Sequence, residues 1–252
     1  MSRTAGIVVI GNEILSGQTR DENAVYLIAQ LRELGVDVQR IAVISDRIGP
    51  IRDEVRKSSE DFDYVFTSGG VGPTHDDVTM PAVASAFGLA THRDSQLEAI
   101  LERYYQEAMT EATLRMADIP DGALLIGEGG GWFPVIAVRN VYIFPGVPAI
   151  LRAKFERIRE RFRESPFFSA EVFVRADEGR VAPLLAEIVR IYPAVRLGSY
   201  PAFTHPEYSL KLSLDSKDPD MLESARESLI AGLAALSIRT IPMKAARGHA
   251  GD

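Results

Sequence analysis

The sequence predicts an α/β fold: a doubly wound, mostly parallel sheet with a second, small α+β domain. The run Ile7–Ile10 is apolar throughout, as in a parallel strand that is covered on both faces. Similar runs alternate with apolar stripes at helical spacing through the first half of the chain. The pattern changes near Ser165-Pro166. We therefore expect domains at residues 1–165 and 166–243, and a disordered tail at 244–252 that is rich in Ala, Gly and Arg.

The elements of the first domain follow in order along the chain. A helix is expected from about Asp21 to a stop at Gly35, and Thr19 and Glu22 have capping-box spacing at its start. Asp94 is expected to cap a later helix. The apolar stripe of that helix is Leu97, Ile100, Leu101, Tyr104 and Ala108. The other expected elements are strands at 36–45, 63–67, 124–126, 134–138 and 141–144, a short helix around 50–55, a helix ending near Gly88 and a helix at 149–163.

The second domain has the order β-α-β-β-α, which is typical of a small split βαβ unit. Its predicted strands are 171–175, 195–199 and 208–214, and its predicted helices are 178–191 and 218–235.

The composition excludes several classes of protein. A net charge of −7 leaves no basic surplus for binding nucleic acid. The sequence has no cysteine, which excludes disulfides and cysteine-based metal sites and fits a reducing, cytoplasmic location. The apolar run Gly6–Ile10 is too short for a membrane span, and no later run is long enough. We therefore expect neither nucleic acid nor a membrane as a partner.

The glycine-rich segment Ser68–Thr79 is the most informative part of the sequence. It follows an apolar strand and precedes a helix, an order that builds anion sites in α/β proteins. Two adjacent carboxylates, Asp76 and Asp77, would repel an anion unless a divalent cation such as Mg²⁺ lay between them. We predict both as catalytic and metal-binding residues. The alternative is that Asp77 or Thr79 caps the following helix, which is compatible with metal binding.

Two further loops follow strands of the first domain, at Gly11–Gly17 and Pro145–Pro148. Loops after parallel strands lie at one edge of a sheet, so we expect the three loops to converge there. Glu13 would then join Asp76 and Asp77 as a third catalytic candidate. The predicted ligand-binding residues are Gly11, Asn12, Ser16, Gly17, Asn23, Ser68, Gly69, Gly70, Gly72, Pro73, Thr74, Thr79, Pro145 and Gly146.

The segments Gly11–Gln18 and Ser68–Thr79, with Phe144–Pro148 downstream, resemble the molybdopterin-binding domain family. That family includes MogA, MoaB and MoeA proteins, the competence/damage-inducible protein A (CinA) family and the N-terminal domain of eukaryotic FAD synthases. The last two are the most similar in motif spacing. The resemblance implies a phosphate-bearing small-molecule ligand, either molybdopterin or a nucleotide, and a homo-oligomer, a dimer or trimer.

The resemblance leaves the activity open between two classes. The first is a metal-dependent enzyme that hydrolyses a nucleotide diphosphate linkage of the ADP-ribose or FAD type. The second is a non-catalytic molybdopterin- or nucleotide-binding module in molybdenum-cofactor biosynthesis. Val147, Ala149 and Ile150 depart from residues common in relatives, as does Gly129–Phe133, and these departures weaken direct transfer of pterin adenylation. A third hypothesis is that the protein is an assembly subunit whose cleft is vestigial.

Overall fold

The computed structural model describes residues 2–127 and 133–242. The predicted disordered tail at 244–252, the glycines 129–131 and Trp132 lie outside these ranges. The chain divides into two compact units, Met1–Ser165 and Pro166–Asp252. In the described ranges, no helix combines the length and the apolar character that a membrane crossing requires.

Strands and helices alternate along most of the first unit, and the second unit also contains both. The strands are β1 Thr4–Ile10, β2 Asp37–Ile44, β3 Tyr64–Ser68, β4 Thr91–Arg93, β5 Asp118–Pro120, β6 Leu124–Ile126, β7 Val135–Val138, β8 Val141–Phe144, β9 Phe168–Val174, β10 Arg196–Pro201, β11 Leu210–Ser216 and β12 Thr240–Ile241. The helices are α1 Asn12–Leu15, α2 Asn23–Glu33, α3 Ile48–Asp61, α4 Thr79–Phe87, α5 Ser95–Tyr105, α6 Glu111–Leu114, α7 Pro148–Ile158, α8 Glu178–Ile191 and α9 Pro219–Ala235.

The first unit is built on a six-stranded sheet in the order β2-β1-β3-β8-β7-β6. The pairs β1–β2, β1–β3 and β3–β8 are parallel, which confirms the predicted mostly parallel α/β fold. The pairs β7–β8 and β6–β7 are antiparallel, so the sheet is mixed at one side. Only Arg139 and Asn140 separate β7 from β8, and a parallel crossover needs a dozen or more residues.

Helices cover both faces of this sheet, as the uniformly apolar strands predict. On one face, Ile7 and Phe66 pack in a core with residues of α2 and α7, such as Leu27 and Phe155. On the other face, the neighbouring residue Val8 packs in a core with residues of α3, α4 and α5. Successive strand residues therefore contribute to opposite cores, and the sheet forms a rigid support for the loops at its edges.

Two predictions about helices in this unit were wrong. Thr19 does not form the capping box of α2, because Asp21 accepts the N–H groups of Asn23 and Ala24 instead. The stripe predicted for α5 is too long: Tyr104, in the last turn, is 77% exposed, and Ala108 is exposed and lies beyond the end of the helix at Tyr105. The predicted cap of α5 is confirmed, since the Asp94 carboxylate accepts the N–H groups that follow it.

The second unit has a four-stranded antiparallel sheet in the order β10-β11-β9-β12. Leu210, Leu212 and Leu214 of β11 alternate with more exposed residues and pack in a core with residues of α8 and α9. The strand β12 extends the predicted β-α-β-β-α order. It has two residues, too few to show a periodic pattern.

Candidate functional site

The backbones of three strand-end segments meet at one edge of the six-stranded sheet. Gly69, after β3, donates its N–H to the carbonyl oxygen of Phe144 in β8 at 3.0 Å. A Cβ atom added at Gly69 would collide with the carbonyl oxygen of Ile10 at the end of β1, and one added at Gly146 would lie 3.4 Å from the Gly69 Cα atom. Gly69 also has a φ of 107°, so glycine is required there on two grounds.

Asn23, at the start of α2, joins two of these strand ends. Its Nδ2 atom donates to Ser68 Oγ at 2.8 Å and to the Gly146 carbonyl oxygen at 2.7 Å. Asn23 is 5% exposed, and its hydrogen bond to Ser68 is buried, whereas its bond to Gly146 is partly buried. In the part of the chain that the structure describes, its Oδ1 atom has no hydrogen-bond partner. A buried acceptor without a partner is costly, which makes this oxygen a candidate acceptor for a ligand N–H or O–H group.

The glycine loop after β3 presents unpaired backbone donors. Among residues 2–127 and 133–242, no protein acceptor pairs with the N–H groups of Gly70, Val71 or Gly72. Gly70 has a φ of 66°, and an added Cβ atom there would collide with the Thr79 hydroxyl. Successive N–H groups in such a turn form a concave donor surface that suits an anion.

Thr79 fixes this loop from the first residue of α4. It is fully buried, its hydroxyl donates to the Gly69 carbonyl oxygen at 2.9 Å, and its N–H donates to the Gly70 carbonyl oxygen at 3.0 Å. The N-cap residue of α4 is Val78, without a side-chain cap. The alternative that Asp77 or Thr79 caps this helix is therefore wrong.

Asp76 and Asp77 both contact Thr74 at the exposed end of the loop. The Thr74 hydroxyl lies 2.6 Å from Asp76 Oδ1 and 2.5 Å from Asp77 Oδ2, and the Thr74 N–H donates to Asp77 Oδ2 at 2.8 Å. One hydroxyl proton can serve only one of the two carboxylates. The hydrogen bond from Thr74 lowers the pKa of the Asp76 carboxyl below its usual range, so Asp76 is ionised at neutral pH. His75, between Thr74 and Asp76 in sequence, has a side chain that is 97% exposed.

Within the described ranges, the hydrogen bonds of the loop after β1 that involve a side chain are to Asp46 and within the loop itself, not to the glycine loop. Glu13 and Asn12 lie in the short helix α1, and the Asn12 N–H donates to Asp46 Oδ2 at 2.6 Å. The Ser16 hydroxyl donates to the Glu13 carbonyl oxygen within its own segment. An added Cβ atom at Gly11 would lie 2.6 Å from Glu13 Oε1, so this carboxylate folds back over its own loop. The role predicted for Glu13 stays a prediction.

The candidate metal ligands at the glycine loop are the carboxylates of Asp76 and Asp77. In the described ranges, no three His, Asp or Glu side chains are grouped so that they could hold a metal ion. Asp76 and Asp77 remain a fit for Mg²⁺, which is commonly bound by one or two carboxylates, with water and ligand phosphates completing its coordination.

Contacts bring ten of the predicted site residues into two sets. The strand-end set is Ser68, Gly69, Gly70, Thr79, Asn23 and Gly146, and the neighbouring set is Gly72, Thr74, Asp76 and Asp77. Neither set includes the other predicted residues, which are Gly11, Asn12, Glu13, Ser16, Gly17, Pro73 and Pro145. Two residues near these loops were not predicted. Asp46 anchors the loop after β1, and Arg115 donates to the carbonyl oxygen of Pro73 at 3.4 Å. A single charged residue in a loop or a short helical turn shows no sequence pattern that would have identified it.

The chain belongs to the family described as probable molybdopterin binding domain, whose model matches residues 6–164. This match confirms the resemblance stated from the motifs. A second model, described as FAD synthase, middle domain, matches residues 166–241.

Individual relatives agree with this assignment. The chain is 32% identical to a probable FAD synthase of Caenorhabditis briggsae over an alignment of 256 positions, which covers 90% of this chain and 49% of the relative. The chain thus spans about half the length of that FAD synthase relative. It is 36% identical to a protein of Archaeoglobus fulgidus, over 77% of this chain and 84% of that protein. The crystal structure of the protein CinA from Thermoplasma acidophilum is 32% identical, with a TM-score of 0.59, and covers 64% of this chain and 98% of that one.

Proposed function

We propose that the first unit binds a phosphate-bearing pterin or nucleotide at the glycine loop and hydrolyses a nucleotide diphosphate linkage of the ADP-ribose or FAD type with a divalent cation. One observation carries this proposal: the unpaired N–H groups of Gly70, Val71 and Gly72 belong to the same loop as the Asp76–Asp77 pair. Relatives named FAD synthase support a nucleotide-related ligand.

The loop supplies the binding energy for the phosphate in this proposal. The three N–H groups donate to phosphate oxygens, and they are held in place because Thr79 fixes the carbonyl groups of Gly69 and Gly70. Asn23 sets the distance between the ends of β3 and β8, and its Oδ1 atom accepts a donor group of the ligand. These groups are preorganised by the sheet and need little rearrangement on binding.

Asp76 and Asp77 are the residues that would hold the divalent cation, beside the Thr74 hydroxyl. When bound, the cation would neutralise phosphate charge and lower the pKa of a coordinated water. The residues of the chain then have two tasks. The loop N–H groups hold the charge that develops on the leaving phosphate, and the Thr74 N–H keeps the Asp77 carboxylate in place.

The test is turnover of ADP-ribose and of FAD by the purified chain with Mg²⁺, Mn²⁺ or Co²⁺. Asp77→Asn keeps an oxygen that accepts the Thr74 N–H but removes the charge, so we expect it to lower metal-stimulated hydrolysis about 100-fold or more. The matched control is Asp53→Asn, an exposed carboxylate on α3, which should keep full activity. Full turnover by Asp77→Asn, or no turnover by the unmodified chain with any of these metals, would refute the catalytic proposal.

A second candidate function is a non-catalytic molybdopterin- or nucleotide-binding module. It is favoured by the limited metal ligation, since in the described residues no third Asp, Glu or His joins Asp76 and Asp77. Calorimetry with molybdopterin, ADP-ribose and FAD, run beside the product assay, separates the two functions. Saturable binding without product supports the module. A homo-oligomeric state and a cytoplasmic location also stay proposals.

A further inference from the structure

The second unit contains a cleft of its own. Its volume is about 490 Å³, and its lining includes Arg175, Arg180 and Arg239, together with Glu207, Ile238 and Ile241. We call this feature the arginine cleft. Its volume lies within the usual range of small-molecule sites, roughly 300–1,000 Å³. It uses no residue of the glycine loop.

The fold of this unit brings the three arginines together. Arg175 directly follows β9 and Arg239 directly precedes β12. These strands pair antiparallel with Val174 opposite Thr240, so Arg175 and Arg239 occupy the next opposed positions. Arg180 lies in the first turn of α8. Like charges placed opposite each other on paired strands are destabilising, so this arrangement costs stability unless an anion is bound.

Backbone carbonyl groups hold two of the arginines without neutralising them. Arg175 donates from Nε to the Glu207 carbonyl oxygen at 2.7 Å and from Nη2 to the Pro206 carbonyl oxygen at 2.9 Å. Arg180 donates from Nη2 to the Leu236 carbonyl oxygen at 2.6 Å. Across the described part of this unit, no carboxylate forms an ion pair with any of the three guanidinium groups.

The donor groups that remain suit a phosphate. A guanidinium group has five N–H donors, so Arg175 and Arg180 keep several after these bonds, and the Arg239 side chain forms no hydrogen bond within residues 166–242. Arginine donors match phosphate oxygens in pairs. The cleft has three guanidinium groups against the single carboxylate of Glu207. Ile238 and Ile241 add apolar surface for a ring or chain attached to the phosphate.

We infer that the arginine cleft is a second binding site, specific for a small phosphate ester of the nucleoside diphosphate class. This inference goes beyond the proposed function, because it concerns the second unit and holds whether or not the glycine loop binds a ligand. All donor groups of the Arg239 side chain would be available to the phosphate. Arg175 and Arg180 would bind it with their remaining donors, while backbone carbonyl groups hold their guanidinium groups in place.

The test is a titration of the whole, isotopically labelled chain with ADP and with inorganic pyrophosphate, followed by amide NMR. Residues 175–180 and 237–241 report on the arginine cleft, and residues 69–79 report separately on the glycine loop. We expect saturable shifts of the first group with both probes. Arg239→Gln should weaken this binding about tenfold or more, because a hydrogen bond to a charged group is lost. The matched control is Arg190→Gln, an exposed arginine on α8 that does not line the cleft.

The outcomes separate the two proposals. Shifts confined to residues 69–79 would overturn the inference and leave the proposed function standing. Shifts confined to the arginine cleft would support the inference and would contradict the proposed binding of a ligand at the glycine loop. Equal affinity in Arg239→Gln and the unmodified chain would also overturn it. A single-stranded oligonucleotide that binds the cleft where ADP does not would overturn the assignment to a small ligand.

Discussion

Substitution of Asn23 tests how the candidate site is held together, because the Asn23 side chain joins the ends of β3 and β8. Asn23→Ala removes the hydrogen bonds to Ser68 Oγ and to the Gly146 carbonyl oxygen. The Ser68 hydroxyl loses a partner in a buried environment, at about 1–3 kcal/mol, and the partly buried bond to Gly146 contributes about 0.5–1.5 kcal/mol, so we expect the free energy of unfolding to fall by about 1.5–4.5 kcal/mol. A domain of ordinary stability, about 5–15 kcal/mol, stays folded after such a loss.

Asn140→Ala provides a matched control at the opposite end of β3. The Asn140 side chain donates to the carbonyl oxygens of Ser59 and Phe62, which precede that strand, and accepts from the Ser59 hydroxyl. Urea denaturation should show a loss of stability for Asn140→Ala at least as large as that for Asn23→Ala, whereas calorimetry with a phosphate-bearing ligand should show weaker binding for Asn23→Ala alone. A loss below about 0.5 kcal/mol for Asn23→Ala, or equal weakening of binding by both variants, would refute the reasoning.

Two further predictions concern stability and are measured by urea denaturation. Gly69→Ala should cost about 3 kcal/mol or more, because its Cβ atom would collide with the Ile10 carbonyl oxygen. Gly122→Ala, also at positive φ but in open space, should cost about 1–2 kcal/mol, and equal costs would contradict this account. Burial lowers the pKa of Lys154 from 10.5 to about 8, so the unfolded chain binds more protons between these values. Stability relative to Lys154→Met should therefore rise by roughly 3 kcal/mol from pH 8 to 10.5, and an unchanged difference would contradict this burial effect.

The parallel half of the sheet could be predicted because apolar runs and helical stripes in short segments of the sequence indicate its strands and helices. The apolar run Ile7–Ile10 and the stripe that includes Leu27 and Leu31 each need burial on a defined face, and the structure buries them there. The antiparallel pairing of β6, β7 and β8 was not predicted. Short apolar runs show where strands occur but not how they pair, and here the two-residue connection at Arg139-Asn140 decides the direction.

The candidate site was predictable in its backbone and less so in its side chains. Glycines at Gly69 and Gly70 are required by close approach and positive φ, and such requirements are visible in a sequence. The role of Asp77 was open, because a carboxylate before a helix can cap the helix or close the loop, and the choice depends on the position of Thr74. The contact between Asp46 and Asn12 joins segments 34 residues apart and left no sequence signal.

The most direct test of the central claim is a crystal structure of the chain with ADP-ribose and Mn²⁺, whose anomalous signal locates the metal. We predict phosphate density within hydrogen-bonding distance of the Gly70, Val71 and Gly72 N–H groups, with Mn²⁺ beside Asp76 and Asp77. A ligand bound elsewhere on the first unit, with those N–H groups facing only water, would contradict it.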